Sequence, residues 1–268
     1  MKRKVLSILL ILAMCLTMFP TMAFADGKNT IGLEGRGTAD DPYLISSVAD
    51  MKTFRDAVNS GQNEICAKLT KDLLGDTEWK DASEAIGTET CNYNGCFDGN
   101  GHHMRFSMNT NNEKFGLFGY IGQSGIVQNL AVRMGSIAGE SGAIAYSNAG
   151  TIASCSVYEW DDDKTLGGAI NRALDDVGYS PNVGVAIYGR PKAAGIVNQN
   201  ESSGTVKDCY FASPLALSYV EDDDTSLCEA GGLVYQNNGK IENSCFLGNL
   251  YYSRNYRTCF IDWGITYS

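Results

Sequence analysis

Four segments of the chain can be aligned with one another, and this internal repetition limits the available folds more than any other feature of the sequence. They are GLFGYIGQSGIVQNLAV from Gly116, GAIAYSNAGTIASCSVY from Gly142, AGIVNQNESSGTVKDCYF from Ala194 and GGLVYQNNGKIENSCFL from Gly231. Each contains small apolar residues, a polar Asn or Gln, then Gly-x-Ile/Val and a further apolar stretch. A repeat of this length cannot bury its apolar face alone, so it must stack on its neighbours.

The repeats share a glycine that marks a corner of the chain. These glycines are Gly125, Gly150, Gly204 and Gly239, at intervals of 25, 54 and 35 residues. Glycine and asparagine supply the positive φ that a tight corner needs, and the alternating β-branched residues around them predict short strands. Short strands joined by corners at this period are typical of a β-solenoid. We therefore predict an all-β fold, most simply a parallel β-helix.

Equivalent positions of stacked repeats lie about 4.8 Å apart. The alignment predicts one interior column, formed by Ile126, Ile152, Val206 and Ile241. The long interval predicts an insertion at about residues 160–192, with helical character over residues 166–177 and room for a degenerate repeat. Insertions of this kind form loops on one face of a solenoid, often the binding face.

The beginning of the chain has the features of a signal peptide over residues 1–25. Basic residues 2–4 precede the apolar residues 5–19, and Ala23-Phe24-Ala25 has the small-x-small pattern of a cleavage site. Lipidation at Cys15 is the weaker alternative. The apolar run is too short to span a bilayer, so we expect a secreted chain without an integral membrane segment after cleavage.

Residues 26–62 predict a strand and a helix ahead of the repeats. Tyr43 to Ile45 is expected to be the strand, and Val48 to Val58 the helix, with Ser47 as its N-cap and Asp50 three residues later. One face of this helix is apolar, through Met51, Phe54 and Val58. An amphipathic helix can cover the open end of a solenoid, so we expect a capping helix followed by a β-helix over residues 63–268.

The first half of the chain resembles a known family. The segments GRGTADDPYLISSVADMKTFRDAVNSG, LTKDLLGDTEW, AIGT, CFDGNGHHM and FGLFGYIGQSGIVQNLAV follow, in order, the pattern of secreted bacterial surface proteins with GLUG-type repeats. In the family stretch F-D-G-N-G-H-T-I, His102 occupies the histidine position and His103 replaces the threonine. The resemblance covers about residues 35–155. It implies a right-handed parallel β-helix, surface display, and adhesion or binding, with no catalytic residue set.

Charge and cysteine content narrow the partners. The formal net charge of −10 argues against nucleic acid as a partner. Eight cysteines follow the signal peptide, without metal-ligand spacing, so zinc is not expected. Cys91 and Cys96 flank the segment NYNG and are the disulfide predicted here. Cys155 and Cys209 share one repeat position, at which Ser244 rather than Cys245 stands in the last repeat.

Both histidines of the chain lie in CFDGNGHHMRF, so this stretch is a candidate active site. Asp98 and His102 are the catalytic candidates, for acid–base chemistry of the kind that cleaves sugars. The alternative is that residues 98–101 form a turn that leads into a strand. His102 and His103 would then point to opposite sides of that strand, which argues against a joint site.

Binding candidates come from aromatic and acidic residues. The aromatic residues that could stack on sugar rings are Trp79, Trp160, Tyr188, Tyr252 and Trp263. Two acidic runs could hold calcium through oxygen ligands, namely Asp161, Asp162 and Asp163, and Asp222, Asp223 and Asp224. Solvated loops and core packing are the simpler explanations, and no cofactor is required.

These observations predict a secreted, non-enzymatic surface protein that binds a glycan or an extracellular protein. Two alternatives stay open at this point. One is a polysaccharide lyase or glycosidase built on the same fold, and the other is a structural spacer of a surface protein.

Overall fold

The computed structural model describes one short α-helix and a set of parallel sheets, so the predicted all-β class is confirmed. The described residues are 31–74, 85–106, 114–134, 136–138, 140–159, 185–188, 192–212, 215–218, 228–247, 250–252 and 259–262. Within this part of the chain every pairing between strands of a sheet is parallel.

Three sheets contain most of the described core. Sheet A has seven strands in the order β1 (Tyr43–Ile45), β2 (Ala67–Leu69), β3 (Cys96–Asp98), β6 (Ile126–Gln128), β10 (Thr151–Ala153), β15 (Thr205–Lys207) and β20 (Lys240–Glu242). Sheet B has the order β4 (His103–Phe106), β7 (Ala131–Met134), β11 (Ser156–Glu159), β16 (Tyr210–Ala212) and β21 (Cys245–Leu247). Sheet C has the order β5 (Phe118–Ile121), β9 (Ala145–Asn148), β14 (Val197–Asn200) and β19 (Val234–Asn237).

Two smaller sheets lie later in each repeat. Sheet D has the order β8 (Ser136–Ala138), β12 (Val185–Tyr188), β17 (Leu215–Ser218) and β22 (Leu250–Tyr252). Sheet E has the order β13 (Lys192–Ala194), β18 (Cys228–Gly231) and β23 (Cys259–Asp262).

Each of the four aligned segments supplies one strand to sheet C, then one to sheet A, then one to sheet B. The interval of 54 residues adds no strand to these three sheets, because β10 pairs directly with β15. The prediction of a degenerate repeat in this interval is therefore wrong for sheets A to C. Instead β12, which falls inside the predicted insertion, pairs with β8 and β17 in sheet D. The predicted helical stretch at residues 166–177 lies outside the described residues.

The interior column of sheet A agrees with the predicted column except in its first member, where the inward residue is one position later than predicted. Ile152 is opposite Val127, whereas Ile126 is opposite Thr151 and is 37% exposed. Strand alternation explains the shift, since the inward position is the second residue after the corner glycine in each repeat. The column is completed by buried Phe97 on one side of Val127.

The predicted helix and its cap are confirmed. Helix α1 (Val48–Asn59) begins at Ser47, whose side chain accepts a hydrogen bond from the backbone N–H of Asp50 at 3.1 Å. Met51, Phe54 and Val58 are buried, as the apolar stripe predicts. The Phe54 ring lies 5.9 Å from the ring of Phe97, so the helix packs on the residues of sheet A.

The corner glycines stack closely on one another. A Cβ on Gly150 would lie 2.2 Å from Gly125 O, and one on Gly239 would lie 2.3 Å from Gly204 O. Only glycine leaves room for the backbone hydrogen bonds that join these corners, such as Thr151 N to Gly125 O at 2.9 Å.

A second corner, between sheets A and B, has a left-handed backbone in every described repeat. The residues with positive φ there are Asn100, Asn129, Ser154, Asp208 and Asn243, with φ between 45° and 54°. Asn and Asp tolerate this region better than other non-glycine residues. The repeated conformation brings the chain from one sheet into the next at the same place each time.

A ladder of asparagines runs through sheet C. Asn148 Nδ2 donates to Asn200 Oδ1 at 2.9 Å, and Asn200 Nδ2 donates to Asn237 Oδ1 at 2.7 Å. Asn148 and Asn200 are completely buried. Their amides also bind the adjoining corner, since Asn148 Oδ1 accepts from Gly150 N at 3.2 Å. A buried amide is costly without such partners, so the ladder ties each repeat to the next.

Replacing Asn200 with Ala is expected to lower the free energy of unfolding by roughly 1–3 kcal/mol for each buried polar group left without its partner. The groups affected belong to Asn148 and Asn237. Urea denaturation measures the loss. Gln199→Ala is the matched control, because Gln199 is the preceding residue of the same strand and is half-buried; its effect should stay within about 0.5 kcal/mol. Equal stability of Asn200→Ala and the unmodified protein would contradict a structural role for the ladder.

Candidate functional site

The polar cluster of greatest chemical interest lies on the side of sheet B that faces away from the main core. In β4, Met104 is buried in that core, so its neighbours His103 and Arg105 point to the other side. The register of the sheet places Arg133 next to Arg105 and Tyr158 next to Arg133. We use the name His–Tyr–Arg cluster for His103, Tyr158 and Arg133, together with Asp72 and His102, which adjoin them.

Tyr158 is the centre of this cluster. Arg133 Nε donates to the Tyr158 hydroxyl at 2.8 Å, and its guanidinium carbon lies 5.3 Å from the centre of the Tyr158 ring. A hydrogen bond also joins the hydroxyl to His103 Nδ1. Because the oxygen accepts from Arg133, the hydroxyl proton is available for His103, which makes Nδ1 the acceptor and favours a proton on Nε2. The two rings meet edge to face, with centres 5.9 Å apart.

Asp72 links both histidines to the preceding segment. Its Oδ1 lies 3.1 Å from His102 Nδ1 and accepts from the backbone N–H of His103 at 3.0 Å. Burial by itself would raise the pKa of Asp72, but the hydrogen bonds from His103 and His102 outweigh it and lower the pKa. The carboxylate therefore stays ionised and holds the corner that leads into β4.

The protonation states follow from burial. Burial lowers the pKa of His103, with the Arg133 charge acting in the same direction against the opposing charge of Asp72. Burial also raises the pKa of Tyr158, and the Arg133 hydrogen bond only partly offsets this. At neutral pH His103 is uncharged and Tyr158 keeps its proton. A neutral imidazole beside a phenol is a base–acid pair of the kind that proton-transfer enzymes use.

Access to the centre of this pair is closed. Tyr158 is 2% exposed and Arg133 is 4% exposed. Tyr158 also belongs to a small apolar cluster with buried Ala212, against which Tyr210 and Leu247 pack. A substrate would need to reach the hydroxyl and the imidazole together, and the buried hydroxyl is already bonded on both sides.

The two predicted catalytic residues are held apart by different partners. Asp98 Oδ1 accepts from the backbone N–H of Asn100 at 2.7 Å and from Asn129 Nδ2 at 3.0 Å, so it stabilises the turn and the corner of the next repeat. His102 bonds to Asp72 instead. His102 lies before the first residue of β4, so the alternation of side chains along a strand does not set its direction. The rings of His102 and His103 nevertheless bond to different partners. The turn interpretation of residues 98–101 agrees with these contacts.

Sequence reasoning missed Asp72, Arg133 and Tyr158. A signal for two of them was present, because Arg133 lies eight residues after Gly125 and Tyr158 lies eight residues after Gly150. Equal offsets place residues side by side in a stacked repeat. The same offset does not predict which residues lie beside His103, because the turn before β4 contains two more residues than the corner before β7.

Most of the predicted ligand contacts fall where no side chain is described. The aromatic candidates Trp79, Trp160 and Trp263 lie outside the described residues, as do the calcium candidates Asp161, Asp162, Asp163, Asp222, Asp223 and Asp224. Tyr188 ends β12 and Tyr252 ends β22, but only their backbone is described. Within the described part of the chain, no group of three or more His, Cys, Asp or Glu side chains could hold a metal ion.

Cys91 and Cys96 are both free thiols, as are Cys66, Cys155 and Cys209, so the disulfide between Cys91 and Cys96 stays a prediction. Cys91 Sγ donates to Val58 O at 3.3 Å, at the end of α1. Cys96 instead adjoins Cys66, whose charge is one of the influences that raise the pKa of Cys96 after burial. Adjacent strands thus bring together cysteines of different repeats.

Comparisons with known proteins give partial matches. No family model matches the chain. It is 31% identical to halomucin of Haloquadratum walsbyi over 127 residues, which cover 44% of this chain and 1% of halomucin. It is 28% identical over 192 residues to a protein of Evansella cellulosilytica named as a Gly-rich membrane protein, covering 65% of this chain and 21% of that one. The chain thus spans a small part of both relatives.

A solved structure named for an immunoglobulin A1 protease of Bacteroides ovatus aligns with 85% of this chain and 79% of its own, at 16% identity. Its TM-score of 0.41 is too low to support an argument. Among the described residues, no helix combines the length and the apolar character needed to cross a membrane.

The lowered pKa of His103 predicts a loss of stability in mild acid. A folded-state pKa below the ordinary value of 6.5 means that the unfolded chain binds the proton at a higher pH. The contribution of His103 to the free energy of unfolding is constant above the ordinary pKa of 6.5 and becomes unfavourable as the pH falls below it. Between about pH 7.5 and about pH 5, His103→Gln should lose less of its free energy of unfolding than the unmodified protein.

Urea denaturation at several pH values measures this difference. The matched control is His102→Gln, which retains His103 and should keep the full loss of stability. An unchanged pH profile in His103→Gln would show that His103 is not the residue responsible.

Proposed function

We propose that this chain is a right-handed parallel β-helix module of a secreted or cell-surface protein, with GLUG-type repeats, and that it binds ligands rather than transforming them. The burial of Tyr158 and Arg133 is the observation that supports this most directly. In the cluster that most resembles a catalytic pair, the Tyr158 hydroxyl is buried and bonded to both Arg133 and His103. The role of this cluster is to join β4, β7 and β11 on the outer side of sheet B.

The order of the strands supports the β-helix. Successive segments add to sheets C, A and B in the same sequence, always in parallel and in register. A chain that returns to the same sheets in this way winds around a common interior. Parallel crossover connections are right-handed in nearly all known cases, which favours the right-handed form.

A surface location has two independent supports. The N-terminal sequence has the pattern of an export signal. The names of the two curated relatives, a halomucin and a Gly-rich membrane protein, fit proteins of the cell surface. The resemblance of residues 35–155 to GLUG-type surface proteins points to the same class.

The outer side of sheet A offers a regular surface for binding. Its residues fall into two rows that cross β3, β6, β10, β15 and β20 at the strand spacing. One row contains Cys96, Ile126, Thr151, Thr205 and Lys240, and the other contains Asp98, Gln128, Ala153, Lys207 and Glu242. Each strand thus presents apolar, hydroxyl, amide or charged groups, and successive strands lie about 4.8 Å apart. A ligand with its own repeat, such as a glycan chain, could meet successive strands in the same way.

Ile126→Glu should reduce glycan binding, because Ile126 is the exposed large apolar side chain at the centre of this surface. We expect affinity for a glycan identified on an array to fall by about tenfold or more. Ser202→Glu is the matched control, since it adds the same charge at an exposed turn. Thermal unfolding of both variants checks that the fold is retained. Equal binding by Ile126→Glu and the unmodified protein would exclude this surface as the binding site.

The enzymatic alternative is tested by its products. Polysaccharides bound on the array are incubated with the protein, and new reducing ends and unsaturated sugars are measured. The proposal expects no release above that of buffer. Release that disappears in Tyr158→Phe or in His102→Ala, with folding retained, would replace the binding module by a lyase or glycosidase.

A further inference from the structure

Cysteines of neighbouring repeats face each other across adjacent strands. Ala67 of β2 pairs with Phe97 of β3, and the residues just before them, Cys66 and Cys96, are neighbours in the same register. Ser156 pairs with Tyr210, which likewise places Cys155 opposite Cys209. These cysteines come from different repeats and are far apart in sequence.

The spacing of parallel strands suits a covalent link at these positions. Directly opposed residues of neighbouring strands lie about 4.8 Å apart. Disulfides join residues whose Cα atoms are separated by about 4.4–6.8 Å. Both pairs therefore lie in the range in which a bond can form with small adjustments of the side chains.

We propose that Cys66 with Cys96, and Cys155 with Cys209, form two disulfides that cross-link consecutive repeats when the chain folds in the presence of a disulfide oxidant. The source of the oxidant rests on the proposed extracellular location, whereas the pairing rests on the strand register alone. The backbone register shows the same relation once more, since Cys228 is opposite Cys259 in β18 and β23. These three pairs account for six of the eight cysteines that follow the predicted signal peptide.

The chemistry is a thiol–disulfide exchange. Two cysteine thiols lose two protons and two electrons and gain one S–S bond. The oxidant is the disulfide of a small thiol or of a thiol–disulfide oxidoreductase; its S–S bond breaks, and it is released as two thiols. The reaction passes through a mixed disulfide, so the attacking thiol must be ionised and accessible.

Accessibility separates the two pairs. Cys155 is 0% exposed and Cys209 is 1% exposed. Burial raises the pKa of Cys155, so an oxidant cannot reach a reactive thiolate once the protein has folded. Cys96 is only half-buried, although burial and the Cys66 charge raise its pKa. Its oxidation in the folded protein is expected to be slow at neutral pH and faster in alkaline buffer.

The test uses the purified chain and supplies the oxidant, so its result does not depend on where the protein resides. The reduced, unfolded protein is refolded with a mixture of reduced and oxidised glutathione. Remaining thiols are alkylated, and a non-reducing digest is analysed by mass spectrometry. Peptides linking Cys66 to Cys96 and Cys155 to Cys209 are expected. Recovery of these four cysteines in alkylated form, or in links to other cysteines, would overturn the proposal.

A second experiment adds oxidised glutathione to protein that has already folded in the reduced state. The link between Cys66 and Cys96 should form there, faster at higher pH, and the link between Cys155 and Cys209 should not. Formation of the link between Cys155 and Cys209 at the same rate as the link between buried Cys66 and half-buried Cys96 would contradict the assigned geometry.

Stability gives an independent readout. Reductant should lower the melting temperature of the oxidised protein by roughly 5–15 °C. The double variant Cys66→Ser, Cys96→Ser should show a smaller decrease, because one link is absent from the start. Cys91→Ser is the matched control and should keep the full decrease, since Cys91 bonds to Val58 O instead. A full decrease in the double variant would refute the link between Cys66 and Cys96.

Discussion

The in-register hydrogen bonds between Asn148, Asn200 and Asn237 are the constraint on which the rest of the structure depends. A buried amide needs partners for its donors and its acceptor, and here they come from the amide of the next repeat and from the backbone of the adjoining corner. A shift of one residue would leave these groups unpaired and would also turn the apolar side chains of the strand outward. The ladder therefore sets the register for the adjoining corners, where a Cβ on Gly239 would lie 2.3 Å from Gly204 O and no side chain would fit.

Once the register is set, the surface chemistry follows from it. Arg133 and Tyr158 meet because they occupy the same position of consecutive repeats, and their partnership with His103 closes the outer side of sheet B. Sheet A differs, because its outward rows stay partly exposed around Ile126. In a repeated fold of this kind, single residues at equivalent positions decide whether the outer side of a sheet is buried and structural or exposed. This division supports a binding function more than a catalytic one.

Much of the architecture could be predicted from local patterns. The strand Tyr43–Ile45, the helix with its Ser47 cap and the stacking of the aligned segments were all visible as periodicity and capping residues. The same reasoning failed wherever the answer depended on the exact pairing between repeats. It predicts Ile126 instead of Val127 for the interior column, and it does not indicate that Cys96 lies beside Cys66.

The sequence by itself determined the repeat, the strand and helix types and the acidic, cysteine-containing character of the chain, since these depend on neighbouring residues and composition. Tertiary structure alone decided which residues of different repeats touch. The two extra residues in the turn before His103 place it opposite Ala131 rather than Arg133, and β10 pairs directly with β15 despite the long interval between them. Both outcomes depend on hydrogen bonds between strands that are far apart in the sequence. The pattern of neighbouring residues does not predict those pairings.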